Sequence, residues 1–298
     1  MSVLQVLRGR QLLSWSERGL YLITTLAFVF LFVPIVAAVV YSFNAGVDGR
    51  QTAQFTGFST RAYPQLVESP TISAAIADSA VSSIFAALIA TALGVVAGLA
   101  QVRARSHVVR RVLTAVLAAV LLVPELVVAV ALLQFFSVTH ATLSMATMVA
   151  GLTTFPTAVV ALIVRSRVVV LDGSVEEAAA DLGARPLEVF RDVTMPQLRP
   201  AVIAGLILSF TFSFDNLITA SMLSTPTVNT LTVYLFASIE HGGVTAVGYA
   251  VAACMLVFTL SMLAVAGLIY RHEARKLGAS GSLVDAAAGH GAPAPQPA

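Results

Sequence analysis

The sequence predicts an all-α integral membrane protein of six transmembrane helices, on three grounds: its composition, the length of its uncharged runs, and the one-sided placement of its Arg and Lys residues. Of 298 residues, 58% are hydrophobic and 11% charged, with a mean hydropathy of +0.90, against roughly 25% charged in a soluble domain. So little charge cannot cover a surface that faces water on every side. Uncharged runs from Gly19 to Val47, Ser79 to Val102, Ala141 to Val164 and Gly242 to Tyr270 each exceed the ~20 residues that carry a helix across ~30 Å of hydrocarbon. Two further runs, Val112 to Thr139 and Ala201 to Met222, are similarly apolar but each holds one acid, Glu125 and Asp215. Continuous apolar runs, without the ~10-residue alternating segments of a barrel, select helices.

The expected spans are about 20–43, 72–102, 112–138, 141–164, 199–222 and 244–270, together one membrane domain over 19–277. Segment 1–18 precedes them and a long connection, 165–198, interrupts them. With the spans drawn, 15 of the 17 Lys and Arg residues fall on one side and only Arg50 and Arg61 on the other. The Arg-rich side is the cytoplasmic one, which puts both termini there. The first apolar run is about twice a signal-peptide core of roughly 7 to 15 residues, so it reads as a retained helix. Residues 278–298, made largely of Gly, Ala, Pro and Ser, are expected to form a disordered cytoplasmic tail. A Gly278-Ala279-Ser280-Gly281 sequence in it lacks the held base that a nucleophile needs.

Smaller features complete the organisation. The external segment from Asn44 to Pro70, with Phe55, Phe58 and Tyr63, is too long for a tight turn and should pack over the outer face. Gly94 and Gly98 form a G-x-x-x-G pair at which another helix can approach closely. Cys254, the single cysteine, excludes a disulfide framework and metal-ligand spacing and is expected to be a packing residue. Residues Ser224 to Gly243, including Tyr234, Glu240 and His241, are expected at an outer gate.

Two regions carry chemistry. An intramembrane carboxylate is expensive in hydrocarbon and marks a functional site. Glu125 follows Pro124, which should kink its helix, and Asp215 lies among Phe210, Phe212 and Phe214. Acids beside aromatics suit a cation, so Asp215, Asn216, Glu125 and Phe214 are the expected substrate-pathway residues. In the long cytoplasmic connection, Ser174 with Glu177 three residues later predicts a capping box. The alanines that follow favour a helix and Gly183 ends it. Pro186 then opens a second short amphipathic helix with Leu187, Val189 and Phe190.

That connection resembles the Glu-Ala-Ala loop of type I ABC importer permeases, whose pattern is E-A-A, three residues, G, nine residues and I-x-L-P. Here it is Glu177-Ala178-Ala179, Gly183 and Val193-Thr194-Met195-Pro196, with both spacings kept. The resemblance implies a type I permease fold whose short cytoplasmic helix is the coupling helix, seated in a partner ATPase. Glu177, Ala178, Ala179, Gly183 and Pro196 would carry that contact. No catalytic or metal-binding residue and no cofactor is expected in this chain. It has no G-x-x-x-x-G-K-[ST] loop, so ATP and Mg would be bound by the ATPase.

Over most of its length the chain also resembles the polyamine (spermidine/putrescine) permeases, and among them the second permease subunit. The likeness includes Tyr41-Ser42-Phe43-Asn44, Pro124-Glu125-Leu126-Val127, Ala180-Asp181-Leu182-Gly183, Leu208-Ser209-Phe210-Thr211 and Thr225-Pro226. It implies a bacterial cytoplasmic-membrane importer with an ATPase dimer, a second and different permease subunit and an extracytoplasmic solute-binding protein. Where those relatives carry two adjacent acids after Leu-Ser-Phe-Thr, this chain has Asp215-Asn216. Ferric ion, opines and aminophosphonates, carried by relatives with similar loops, are alternative solutes. A secondary transporter would account for six spans and buried acids but not for the loop.

Overall fold

The computed structural model describes residues 3–47, 50–51, 54–242 and 245–276, the side chains of 3–18, 241–242 and 270–276 excepted. The expected tail, its Gly-x-Ser-Gly sequence and the side chain of His241 lie outside the described residues. In hydrocarbon every backbone N–H and C=O must be paired within its own segment, and the apolar runs accordingly form helices. These are α1 (Val3–Tyr41), α2 (Ala62–Glu68), α3 (Pro70–Arg103), α4 (His107–Leu122), α5 (Glu125–Val138) and α6 (Met145–Val169). They continue as α7 (Ser174–Asp181), α8 (Pro186–Val189), a π turn (Phe190–Thr194), α9 (Met195–Phe214), α10 (Ile218–Leu223), α11 (Leu231–Gly242) and α12 (Ala246–Lys276). Five of the described helices are long and apolar enough to cross a membrane, or six if α4 and α5 count as one bent span.

The chain divides into two compact units. One comprises residues up to Ser69 with Ala237–Met255, the other Pro70–Phe236 with the residues from Leu256 onward. In the first unit every side chain of α1 from Leu20 to Ala37 is exposed, and a helix apolar all round is one that lipid or protein covers. The external segment after it is organised by Asn44, which is 1% exposed. Its Oδ1 accepts from the amide (2.8 Å) and hydroxyl (3.0 Å) of Thr56, and its Nδ2 donates to Gln51 Oε1 (2.7 Å). Phe43 stacks on Phe58 and meets Tyr63, while Ser42 Oγ pairs with the Tyr63 hydroxyl. The Tyr-Ser-Phe-Asn run thus ends the first span and folds the segment that follows it.

The core of the second unit is built where α3, α6 and α9 pack together. Met148, Leu152, Ala220 and Leu223 fill one end of it, and Val95, Val160, Val164 and Leu198 the other. The G-x-x-x-G pair sits on the α3–α6 seam. A Cβ at Gly94 would lie 2.5 Å from Val160 Cβ, and one at Gly98 would lie 2.8 Å from the Ala161 carbonyl oxygen. Two helix backbones meet there because nothing projects between them.

Several sequence expectations are corrected. The third span, expected whole over 112–138, is two helices bent by 108°. Val123 closes α4 with its amide on the Ala119 carbonyl, and the Pro124 carbonyl opens α5 by accepting from Val127. Proline cannot continue the ladder and pushes its predecessor into an extended conformation, so a break replaces the expected kink. The fifth span, expected over 199–222, starts earlier at Met195, stops at Phe214 and resumes as α10. The fourth span starts at Met145 rather than 141, after His140 takes φ 53° in the connection. The expected outer loop contains a further helix, α11. Cys254 is exposed rather than packed.

Replacing Gly94 with Val should overpack the α3–α6 seam and cost about 1–3 kcal/mol, read as a lower unfolding temperature of the detergent-solubilised protein. An unchanged midpoint would mean that the two helices separate without loss.

Candidate functional site

The long connection after α6 forms a capped helix, α7, with a glycine on either side. Asp172, rather than Ser174, caps α7: its Oδ1 accepts the Ser174 amide at 2.9 Å. That amide, with the Ser174 hydroxyl, holds the Asp172 carboxyl below its ordinary range. The expected Ser174–Glu177 capping box is not among the hydrogen bonds of the described residues, because Ser174 is already the first helical residue. Glu176 and Glu177 stand in the first turn, where the helix dipole favours acids.

The other end of α7 is a Schellman closure. The Gly183 amide donates to Ala180 and the Ala184 amide to Ala179, with Gly183 at φ +86°, a conformation costly for any residue with a Cβ. A Cβ there would meet no heavy atom within 4 Å, so the requirement is conformational and not steric. Glu177, Ala178 and Gly183 are exposed and Ala179 is half-buried. Beside them Leu182 is 89% and Leu187 75% exposed.

Beyond the bend, the Arg185 amide donates to Glu188 Oε2 at 2.7 Å and starts α8. This helix has four residues and passes through the π turn into α9, so the expected second surface helix is the foot of the fifth span. Pro196 is the second residue of α9, next to the junction with the π turn.

The second cluster lies where the two broken spans meet. α5 packs against α10, and Glu125, the first residue of α5, accepts through Oε1 from Asn216 Nδ2 at 2.5 Å and from the Thr219 hydroxyl at 3.1 Å. The Asn216 Oδ1 meanwhile accepts the amides of Thr219 and Ala220 and starts α10. The amide side chain does two jobs that a carboxylate could not do together, since an acid at 216 would set charge against Glu125.

Asp215 faces elsewhere. It is exposed, and its two oxygens accept from the Thr259 hydroxyl at 3.2 and 2.9 Å. Phe214 is buried between Phe210 and Phe258, with ring centres 5.6 and 5.1 Å away. The four pathway candidates therefore divide into a hydrogen-bonded pair, Glu125 and Asn216, and an exposed carboxylate, Asp215, next in sequence to Phe214 of an aromatic trio. Among the described residues neither acid has a cationic partner.

Sequence reasoning missed Thr219 and Thr259, whose hydroxyls read as ordinary apolar-span residues. It also missed Asp78 and Ser79 of α3, which accept the amides of Asn229 (2.9 Å) and Leu231 (2.7 Å) and so hold the outer segment ahead of α11. Their signal was faint: two polar residues at the outer end of an otherwise apolar helix.

Long apolar helices, two of them broken at polar clusters, joined by a capped helix with exposed leucines, define a multi-pass membrane component of a solute transport system. Residues 90–278 match the family described as binding-protein-dependent transport system inner membrane component, and the chain belongs to that family. It is 36% identical over 226 residues to the putrescine transport system permease protein PotI of Escherichia coli strain K12, covering 74% of this chain and 79% of that one. It is 30% identical over 251 residues to the spermidine/putrescine transport system permease protein PotC of the same strain, covering 84% and 93%.

Among solved structures, a bacterial ABC transporter involved in import of the acidic polysaccharide alginate superposes with a TM-score of 0.71 at 14% identity, over 89% of this chain and 98% of that one. The MetNI methionine ABC transporter gives 0.54 at 17% identity, over 72% and 99%. The fold is thus that of importer permeases, and the chain is a non-catalytic permease subunit of the inner membrane.

Replacing Glu125 with Ala would leave the Asn216 amide and the Thr219 hydroxyl without their acceptor, at a cost of about 1–3 kcal/mol. Glu125→Gln, which keeps an acceptor oxygen, should lose less. Thermal unfolding of the two variants decides, and equal midpoints would mean that the cluster does not hold the break.

Proposed function

We propose that this chain is one of two permease subunits of an ATP-driven polyamine importer, with putrescine or spermidine as cargo. The observation that carries this reading is its likeness, over 74% and 84% of its length, to putrescine and spermidine/putrescine permeases. A solute-binding protein delivers the cargo at the outer face, a different permease subunit supplies the other half of the path, and an ATPase dimer binds ATP and Mg. The Arg-rich side and both termini face the cytoplasm, as the positive-inside rule requires.

Cargo recognition falls to Asp215. Its exposed carboxylate would pair with an ammonium group, and Phe258, backed by the buried Phe214, offers an apolar wall to a short methylene chain. Glu125 and Asn216 set the shape of the path by joining α5 to α10, and Glu125 adds negative potential beside it.

Coupling falls to α7 and the bend after it. Glu177, Ala178, Ala179 and Gly183 form the face that enters the ATPase, small residues allowing close approach, and exposed Leu182 supplies an apolar contact. Pro196 fixes the start of α9, the span this lever moves. Closure of the ATPase dimer would displace α7 and rock the spans between inward-open and outward-open states.

Two tests follow from this assignment. Asp215→Asn should raise the KM for putrescine uptake about tenfold or more, the effect of one charge-assisted contact, and unchanged kinetics would remove Asp215 from the path. Gly183→Val should abolish uptake while the protein still reaches the membrane at normal levels, because valine at φ +86° costs about 1–2 kcal/mol and turns the helix end. Normal uptake by that variant would remove the loop from coupling.

A further inference from the structure

The sequence pattern draws attention to Glu177, yet in the structure Glu177 is exposed and its neighbour Glu176 makes the contacts. A single oxygen, Glu176 Oε1, accepts from Arg103 Nη2 at 2.6 Å and from Thr194 Oγ1 at 2.6 Å. Arg103 is the last residue of α3, and Thr194, 1% exposed, is the last of the π turn that feeds α9. One carboxylate oxygen therefore joins three elements: the helix proposed to meet the ATPase and the cytoplasmic ends of two spans.

The backbone offers no equivalent link. α7 is joined to α6 through a connection that contains Gly173, and to α8 through one that contains Gly183. A Cβ at either glycine would find no heavy atom within 4 Å, so neither bend is buttressed by packing. A helix joined through two such glycines, and otherwise packed chiefly on α8 and the π turn, can tilt relative to α3. The Glu176 contacts close that freedom: the Arg103 and Glu176 side chains are 35% and 19% exposed, enough shielding to keep a charge-assisted bond short, and the Thr194 hydroxyl is fixed inside the core.

We infer that Glu176 is a positioning residue that locks the cytoplasmic helix to α3 and α9, so that a displacement imposed on α7 reaches both spans together. The inference rests on the proposed coupling role of the loop, and it assigns the transmitting contact to a residue outside the Glu-Ala-Ala pattern. A pair that served stability alone would be a weak one at this exposure, and its loss would not change how much transport each ATP yields.

The test is uptake per ATP hydrolysed, with labelled putrescine and phosphate release measured in the same vesicles, using the importer purified with its native partners. Glu176→Gln and Arg103→Gln should each lower the ratio roughly five- to tenfold, the range of one charge-assisted hydrogen bond. The double variant should be no worse than either single, since all three lose the same contact. Arg103→Lys should retain most of the ratio, and Thr194→Val should lose less than Glu176→Gln.

A wild-type ratio in Glu176→Gln, or losses that multiply in the double variant, overturns the brace. If Glu176→Gln fails to insert, Arg103→Gln reads the same contact from the other side. Leu182→Asp separates the brace from the reading beneath it. That variant should lose the ATPase on purification; if it keeps the ATPase and normal uptake, the coupling loop itself is refuted. ATPase loss from Leu182→Asp together with an unchanged ratio in Glu176→Gln refutes the brace alone.

Discussion

A helix that breaks inside hydrocarbon exposes amides and carbonyls with no water to bond, and any such break must bring its own partners. The second unit of this chain is arranged around two of them. Pro124 separates α4 from α5, Asp215 and Asn216 separate α9 from α10, and the breaks are placed so that each supplies what the other lacks. Asn216 caps α10 with its oxygen and donates its nitrogen to Glu125 at the start of α5. The two breaks meet in one place, and the polar residues that make them tolerable there are Glu125, Asn216 and Thr219.

Around α7 the same requirement is met differently, because the segment is largely exposed and polar side chains are at hand. α7 is closed by Asp172 at one end and by a left-handed glycine at the other, so it is complete before it meets anything. That leaves Glu177 and Ala178 exposed on it and Leu182 exposed just past its end, while Glu176 holds the helix to the spans. Local completeness and tertiary attachment are thus carried by different residues, which lets the outer face evolve for a partner without loosening the bundle.

Much of the fold was legible in the sequence because hydrocarbon imposes one dominant rule, and uncharged runs of sufficient length have one common outcome. The same runs concealed the breaks. At Pro124 the residue was noted and the magnitude underestimated, since a proline inside an apolar run gives either a kink or a break depending on what can pair with the freed carbonyls. At Asp215 the helix end was not foreseen, because the polar pair looked like a site within a helix rather than its terminus.

The loop spacing resembled that of type I importer permeases, and family membership follows from the matched residues. Glu176 and Thr194 were not legible at all. Their meaning depends on Arg103, which lies 73 positions away from Glu176, and no local pattern reports that distance. Thr219 and Thr259 were hidden for the same reason: a threonine in a span reads as neutral until its hydroxyl is seen to reach a carboxylate.

The π turn from Phe190 to Thr194 sets the azimuth of everything after it. Each helical residue advances about 100° around the axis, and a wider turn is how a chain absorbs one residue of excess without stopping. Between Gly183 and Pro196 the chain therefore counts angle as well as length. One residue more or fewer would rotate α9 by more than a quarter revolution, carrying Asn216 away from Glu125 and Asp215 away from Thr259. The interval between bend and span works as a phase setting, through which the bend after α7 fixes the compass direction of a carboxylate at the far end of the helix.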